Sequence, residues 1–281
     1  MDILRFSSQT IPWRTRRSLI RNLAVGASAA AGLVCFSAGA RAQTTVLPGY
    51  DLFETDPLGT FFNFGSGPVP LVGVPLGTFD FGGSIGTQTV GNTDTIIQRL
   101  STVTAPSGTT SLLMNALDME TATPINLGAG LHDYFITLQS DRGGPASTGT
   151  MTINFNPGDA GGTFDSSLDV FFDVRQDSLT GPIVNSSDIV LSNTGTDWTH
   201  LPPPGALLIT GVDSLLNGND HNADFFPVPP FAEAHPGGVG VHQVVETGVS
   251  FGAPEPGSLA LLVAPLASLG MIAVRRRRRA A

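Results

Sequence analysis

The sequence predicts an all-β protein: an antiparallel β-sandwich ectodomain flanked by an N-terminal signal-peptide helix and a C-terminal transmembrane helix. Three observations carry that expectation. Short runs alternating apolar and polar residues recur between residues 43 and 252, the period of a half-buried strand. Turn residues punctuate them, with 34 glycines and 21 prolines in the 281-residue chain. At each end an apolar run abuts an arginine cluster, which a soluble core cannot pair or deprotonate.

Residues 1–42 read as a signal peptide. Arg5, Arg14, Arg16, Arg17 and Arg21 precede an apolar segment at 23–36, and Ala40 and Ala42 supply the small residues of a cleavage site that leaves Gln43 as the new terminus. The stretch from Thr15 through Arg16-Arg17 to Arg21 also looks like a twin-arginine motif, so the general export translocon and the twin-arginine route both fit. The single cysteine, Cys35, lies inside the apolar run after Gly32-Leu33-Val34, which is not a lipid-attachment pattern. The exported part is therefore free of thiols, which excludes disulfides, thiolate metal sites and cysteine nucleophiles.

Residues 43–252 form the body, of a length that suits one domain. The clearest strands are Tyr134–Leu138 and residues 151–155, where Met151, Ile153 and Phe155 share one face and Thr152 and Asn154 the other. Residues 163–174 give another, with Leu168, Val170, Phe172 and Val174 inward and Asp169, Phe171 and Asp173 outward. Further strands are expected at 60–64, 78–81, 95–100, 112–119, 189–191, 207–211 and 244–251. Residues 112–119 also fit a helical face through Leu113, Met114 and Leu117, but nothing caps a helix there and the neighbours are all strand-like. Pro57-Leu58-Gly59-Thr60-Phe61 recurs as Pro75-Leu76-Gly77-Thr78-Phe79, which reads as two equivalent strand entries in one sheet sharing a turn glycine and a core phenylalanine. Residues 201–239, rich in proline and glycine, break any regular ladder and read as a long loop.

Between Gln43 and Ala253 only Arg99, Arg142 and Arg175 are basic, against 21 carboxylates, a formal charge of −18. Nucleic acid and anionic lipid are excluded as partners, because their phosphates require Lys and Arg to displace counterions. Divalent cations and neutral polysaccharides are compatible. Of the two tryptophans Trp13 leaves with the signal peptide, and Trp198 alone argues against a flat aromatic sugar platform.

No catalytic residue is assigned. Gly82-Gly83-Ser84-Ile85-Gly86 matches the serine-hydrolase elbow, which needs a helix directly after it, and residues 87–92 do not suit one. Asp220, Asn222 and Asp224 occupy the first, third and fifth positions of a calcium loop, yet Phe225 and Phe231 stand where an EF-hand needs glycine and glutamate. The alternative is an Asx-rich turn. His221, His235 and His242 lack zinc-ligand spacing and read as surface histidines. Glu54, Glu120, Glu233 and Glu246 carry no cue that pairs any two for glycoside hydrolysis.

Residues 253–281 form a three-part tail. Pro254, Glu255 and Pro256 keep the chain extended; residues 259–274 are apolar; Arg275, Arg276, Arg277, Arg278 and Arg279 stop translocation. As a helix the apolar part spans about 24 Å, short of the roughly 30 Å hydrocarbon core, so it is a marginal anchor with its arginines on the cytoplasmic side. This tail resembles the PEP-CTERM sorting signal of exported bacterial proteins. The resemblance implies recognition of the Pro-Glu-Pro end by a membrane protease, the exosortase. It also implies transient inner-membrane anchoring and delivery to the envelope, outer surface or extracellular matrix, with a structural or adhesive role linked to exopolysaccharide or biofilm. Segments 91–100 and 162–170 are similar to stretches common in exported PEP-CTERM proteins. A secreted carbohydrate-active hydrolase and a calcium-dependent glycan-binding module are the rival expectations.

Overall fold

The computed structural model describes residues 45–128, 130–157, 161–212 and 224–249. The segments expected to be a signal peptide (1–42) and a sorting tail (253–281) lie outside them, as do Asp220, His221 and Asn222. Among the described residues no helix is long and apolar enough to cross a membrane.

The described chain is all-β and antiparallel. Its strands run β1 (Thr45–Val46), β2 (Gly49–Thr55), β3 (Phe61–Asn63), β4 (Pro68–Gly73), β5 (Gly77–Asp80), β6 (Thr87–Gly91) and β7 (Thr95–Arg99). They continue with β8 (Val103–Thr104), β9 (Ser107–Leu117), β10 (Met119–Thr121), β11 (Ile125–Asn126), β12 (Leu131–His132) and β13 (Tyr134–Leu138). A 3-10 turn, Gln139–Arg142, precedes β14 (Thr148–Phe155), β15 (Gly161–Gln176), β16 (Ile183–Thr199), β17 (Phe226–Pro227), β18 (Phe231–Ala234) and β19 (Gly240–Glu246).

Thirteen of these strands join one sheet in the order β17-β16-β18-β19-β2-β7-β9-β14-β15-β13-β10-β4-β3, and two further ladders, β15 with β16 and β19 with β3, close it on itself. Closure works because long strands change partners along their length. One edge of β15 pairs with β14 over residues 162–169 and with β13 over residues 172–176. Likewise β9 pairs with β7 and β14, and past Asp118 the chain continues as β10 between β4 and β13.

The alternating pattern sends one set of side chains inward. Leu168, Val170, Phe172 and Val174 of β15 are buried, as are Met151 and Ile153 of β14. They join Phe53, Leu112, Met114, Phe164, Trp198 and Phe231 in the main core. Shortening Ile153, which is fully buried, to valine should cost about 0.5–1.5 kcal/mol in equilibrium denaturation, the usual price of one core methyl group.

A second, smaller core covers the other face of β2, β7 and β9. Alternation along β7 sends Ile97 to the main core and Ile96 to the second, and the extra residue Asn115 at a bulge in β9 lets Met114 and Ala116, two positions apart, divide between the same two cores. Leu52, Ile96 and Ala116 meet Phe81, Val90, Ile209 and Val212 there. The β5–β6 hairpin and residues 207–212 thus lie over the sheet.

Several expectations change. Residues 207–211 are not a strand; Leu207 and Ile209 serve the second core from a loop with an isolated bridge at Thr210. The two Pro-Leu-Gly-Thr-Phe copies are not equivalent, since Phe61 opens β3 in the large sheet while Phe79 belongs to the separate β5–β6 pair. The proline-rich region holds β17 and β18, and β19 starts at Gly240, earlier than expected. Asp173 points away from the main core yet is fully buried, because Arg142 and Ser186 close over it. Residues 112–119 are extended, as read from the sequence, with a break at Asp118.

Candidate functional site

Ser84 sits on the exposed turn of the β5–β6 hairpin. Asp80 Oδ1 accepts from Gly82 N at 3.0 Å, and Gly82, Gly83 and Gly86 take φ values of 72°, 53° and 65°, which a side chain would strain. Strand β6 follows at Thr87, so the strand-to-helix geometry of a hydrolase elbow is not formed.

Buried polar groups cross-link the strands. Asp94 accepts from Thr55 N at 2.7 Å, from Thr55 Oγ1 at 2.8 Å and from Thr95 Oγ1 at 2.8 Å. Thr55 Oγ1 also lies 3.2 Å from His242 Nε2, which donates to it in the Nε2–H tautomer. Burial outweighs these donors and pushes the Asp94 carboxyl up to about 7, while burial drives His242 down to about 4. Gly73 makes room for this carboxylate, since a Cβ there would overlap Asp94 Oδ2. His242 is thus a core residue, not the surface histidine expected; its exposure is 4%. Opposite it in the β18–β19 ladder stands Glu233, also buried, which accepts from Ser166 Oγ at 2.9 Å and is raised by burial. These hydrogen bonds tie β2, β7, β15, β18 and β19 together.

His235 sits at the surface side of β18, with Nδ1 2.9 Å from Val190 O. Asp224 is buried, and its carbonyl oxygen accepts from His200 Nδ1. Among the described residues no group of three or more His, Cys, Asp or Glu side chains is placed to hold a metal ion. Glu246 is buried at the end of β19, and Glu54 Oε1 accepts from Gly248 N at 2.9 Å. Glu120 lies in β10, opposite Phe135 and Val72.

Two wide cavities with polar groups in their walls stand out among the described residues. The first, about 320 Å³, is bordered by Asp118, Asp141, Thr137 and Arg175. Burial and then the charge of Asp141 push the Asp118 carboxyl up to about 6, and Asp141 is itself raised by burial. Arg175 Nε donates to Thr137 Oγ1 at 2.9 Å and NH1 to Gly181 O at 3.1 Å, so its guanidinium is fixed at the rim.

The second cavity is a wide cleft of about 620 Å³ where β3 ends, β13 begins, β15 ends and β16 begins. Phe62, Phe64 and Tyr134 give it aromatic surface; Asn63, Gln176 and Asn185 give it amides; among the described residues no charged side chain lines it. Phe62 packs edge-on against both Phe64 and Phe172, with centroids 4.9 and 5.4 Å apart, which anchors this wall to the core.

Two loops of the same build edge the cleft. Asn63 Oδ1 accepts from Gly65 N at 2.9 Å and Gly67 N at 3.0 Å; Asn126 Oδ1 accepts from Gly128 N at 2.8 Å and Gly130 N at 3.2 Å. The glycines take φ of 100° and 118° in one loop and 110° and 112° in the other, conformations a Cβ would strain. Each asparagine is followed by an apolar residue, Phe64 or Leu127, that lines the cleft. In the sequence the two loops are a local repeat of the form Asn-x-Gly-x-Gly, Asn63-Phe64-Gly65-Ser66-Gly67 and Asn126-Leu127-Gly128-Ala129-Gly130.

A scan of family models finds no match to this chain. Searches of curated proteins and of solved structures likewise find no similar protein.

Proposed function

We propose that this is an exported protein of the bacterial cell surface or extracellular matrix, sorted by its C-terminal tail and serving a structural or adhesive role. The observation that carries the reading is the order of the tail: Pro254-Glu255-Pro256, the apolar run at 259–274, then Arg275 to Arg279. In this reading an exosortase-like protease processes the chain near the Pro-Glu-Pro end after the inner membrane has held it briefly. The body is a sandwich whose corners are the strands that change partners, and it needs no disulfide.

The use of cations in the body supports a passive, acidic exterior. Arg99 is buried against Asp51, and Arg142 and Arg175 are drawn to Asp173. Three guanidiniums set against 21 carboxylates leave the body acidic, which favours solubility and repels polyanions.

The test is mass spectrometry of the mature protein recovered from the cell surface or medium. The expected product starts at Gln43 and lacks Arg275 to Arg279. Accumulation of a stable product that keeps all five arginines would replace processing with simple anchoring, and recovery from the cytosol with both ends intact would defeat the reading. The hydrolase alternative has one observation in its favour, the cavity that pairs the raised carboxyls of Asp118 and Asp141. Release of reducing ends from a polysaccharide, lost in Asp118→Asn, would establish it instead.

A further inference from the structure

We propose that the 620 Å³ cleft between the twin asparagine–glycine loops binds a neutral, hydroxyl-rich glycan chain, one without uronate, sulfate or phosphate groups. The inference rests on the surface-protein reading only for where that glycan is met; the binding chemistry stands on the cleft itself.

The lining selects the ligand class. Hydroxyl groups both donate and accept, and so do side-chain amides, so an amide pairs with adjacent hydroxyls without needing a charge. Three amides converge here from separate elements, Asn63 on β3, Gln176 on β15 and Asn185 on β16. Two are oriented in advance. The Oδ1 of Asn63 is held by Gly65 N and Gly67 N, which turns its Nδ2 hydrogens to donation. Gln176 Nε2 donates to Asp177 Oδ2 at 3.3 Å, which leaves Oε1 as the acceptor. Asn185 is exposed and completes the set.

Apolar surface supplies the rest. Phe64 and Leu127 stand on the two loops, and their apolar surface suits the C–H faces of sugar rings. A cavity of about 620 Å³ falls in the range that holds small organic ligands, so it takes a few sugar units of a longer chain. Charge excludes the competing ligands. With no cation lining the cleft among the described residues and a body of formal charge −18, a polyanion gains nothing here and is repelled at range. A metal ion would prefer the carboxylates elsewhere to these amides. The twin loops fix the site's shape, because each asparagine uses its oxygen to bind two glycine amides and so holds its neighbour, Phe64 or Leu127, at the cleft.

The experiment is calorimetric titration of the full-length protein, in mild detergent, with linear hexaoses of glucose, mannose and galactose, and with a galacturonate hexaose as the anionic probe. At least one neutral hexaose should bind, with little dependence on salt, and the galacturonate should not. Asn185→Ala should weaken that binding about tenfold, the effect of losing a hydrogen-bond partner in a ligand site. Val184→Asp, placing a charge at a rim position that is 47% exposed, should weaken it at least as much. Both side chains are exposed, so the melting temperature of each variant should match the parent. The proposal is overturned if none of the neutral hexaoses binds, if the galacturonate binds as well as they do, or if both variants bind like the parent. Failure here with correct processing at both termini would sink the cleft assignment alone; binding by a protein found only in the cytosol would sink the surface reading alone.

Discussion

Replacing Arg99 by alanine should destabilise the body by about 3–5 kcal/mol, the cost of stranding one member of a buried ion pair. The side chains of Arg99 and Asp51 are 3% and 2% exposed, and the guanidinium holds the carboxylate through Nε at 3.0 Å and NH2 at 3.0 Å. Its NH1 also donates to Leu47 O at 2.7 Å, and the guanidinium lies 5.1 Å from the centroid of the Phe225 ring. Removing it therefore leaves three groups without their partner. Burial already raises the Asp51 carboxyl, with Arg99 acting against it, so the alanine variant forces Asp51 to protonate or to remain a lone buried charge. Thermal unfolding should show a loss of roughly 6–20 °C. The control is the double variant Arg99→Met with Asp51→Ala, which removes both charges and should recover a large part of the loss. An Arg99→Ala protein within about 1 kcal/mol of the parent would show that the pair contributes packing alone.

The second large effect is one of pH, and it separates two groups that face each other across one hydrogen-bond chain. Asp94 has its folded value raised from 3.8 to about 7. A raised group adds stability that is fully present below the unfolded value and lost as pH rises through the folded one, here up to about 4 kcal/mol in total. His242 has its folded value lowered from 6.5 to about 4, so its contribution is present above pH 6.5 and lost as pH falls toward 4. Between pH 5 and 8 the two slopes oppose each other and largely cancel in the parent. Asp94→Asn removes one of them. Relative to the parent, this variant should be less stable at pH 5 than at pH 8 by about 3 kcal/mol, read from denaturant midpoints at the two values. Glu233, raised by burial, acts in the same direction as Asp94 and is unchanged in the comparison. Parallel pH profiles for parent and variant would mean that Asp94 titrates near its ordinary value despite its enclosure.

How far the sequence could be read depends on where each element gets its stability. Strands β13 to β15 were legible because each buries a regular apolar face, and alternation alone reveals that. Strand β2 was not, although it lies at the centre of the sheet. Its Asp51 and Glu54 break the pattern, and Asp51 is tolerated inside because Arg99 comes to it from β7. Strand β4 begins Pro68-Val69-Pro70, and proline argues against a strand, yet both prolines are exposed and Val69 and Leu71 are buried. Residues 207–211 show the reverse error, since their apolar residues cover a second core without joining a ladder.

The candidate cleft was less legible than the fold. Its walls come from residues 62–64, 127–128, 134, 174, 176 and 184–185, which meet only after β3, β13, β15 and β16 are in register. No spacing along the chain records that meeting. The two Asn-x-Gly-x-Gly loops were the available signal, because glycine at positive φ and an asparagine that binds its own backbone are both written locally. Buried His242 was misjudged for a related reason: its partner Thr55 lies 187 residues away.

Strand β19 is the last element of the described chain, and it is not an edge. It is laddered to β18 on one side and to β2 and β3 on the other. Tension applied from the C-terminal side therefore loads ladders on both flanks of β19 in shear, where many bonds must give way together. A terminal strand at a free edge would instead peel open bond by bond. A body tethered through this end is consequently built to bear a pull without unravelling.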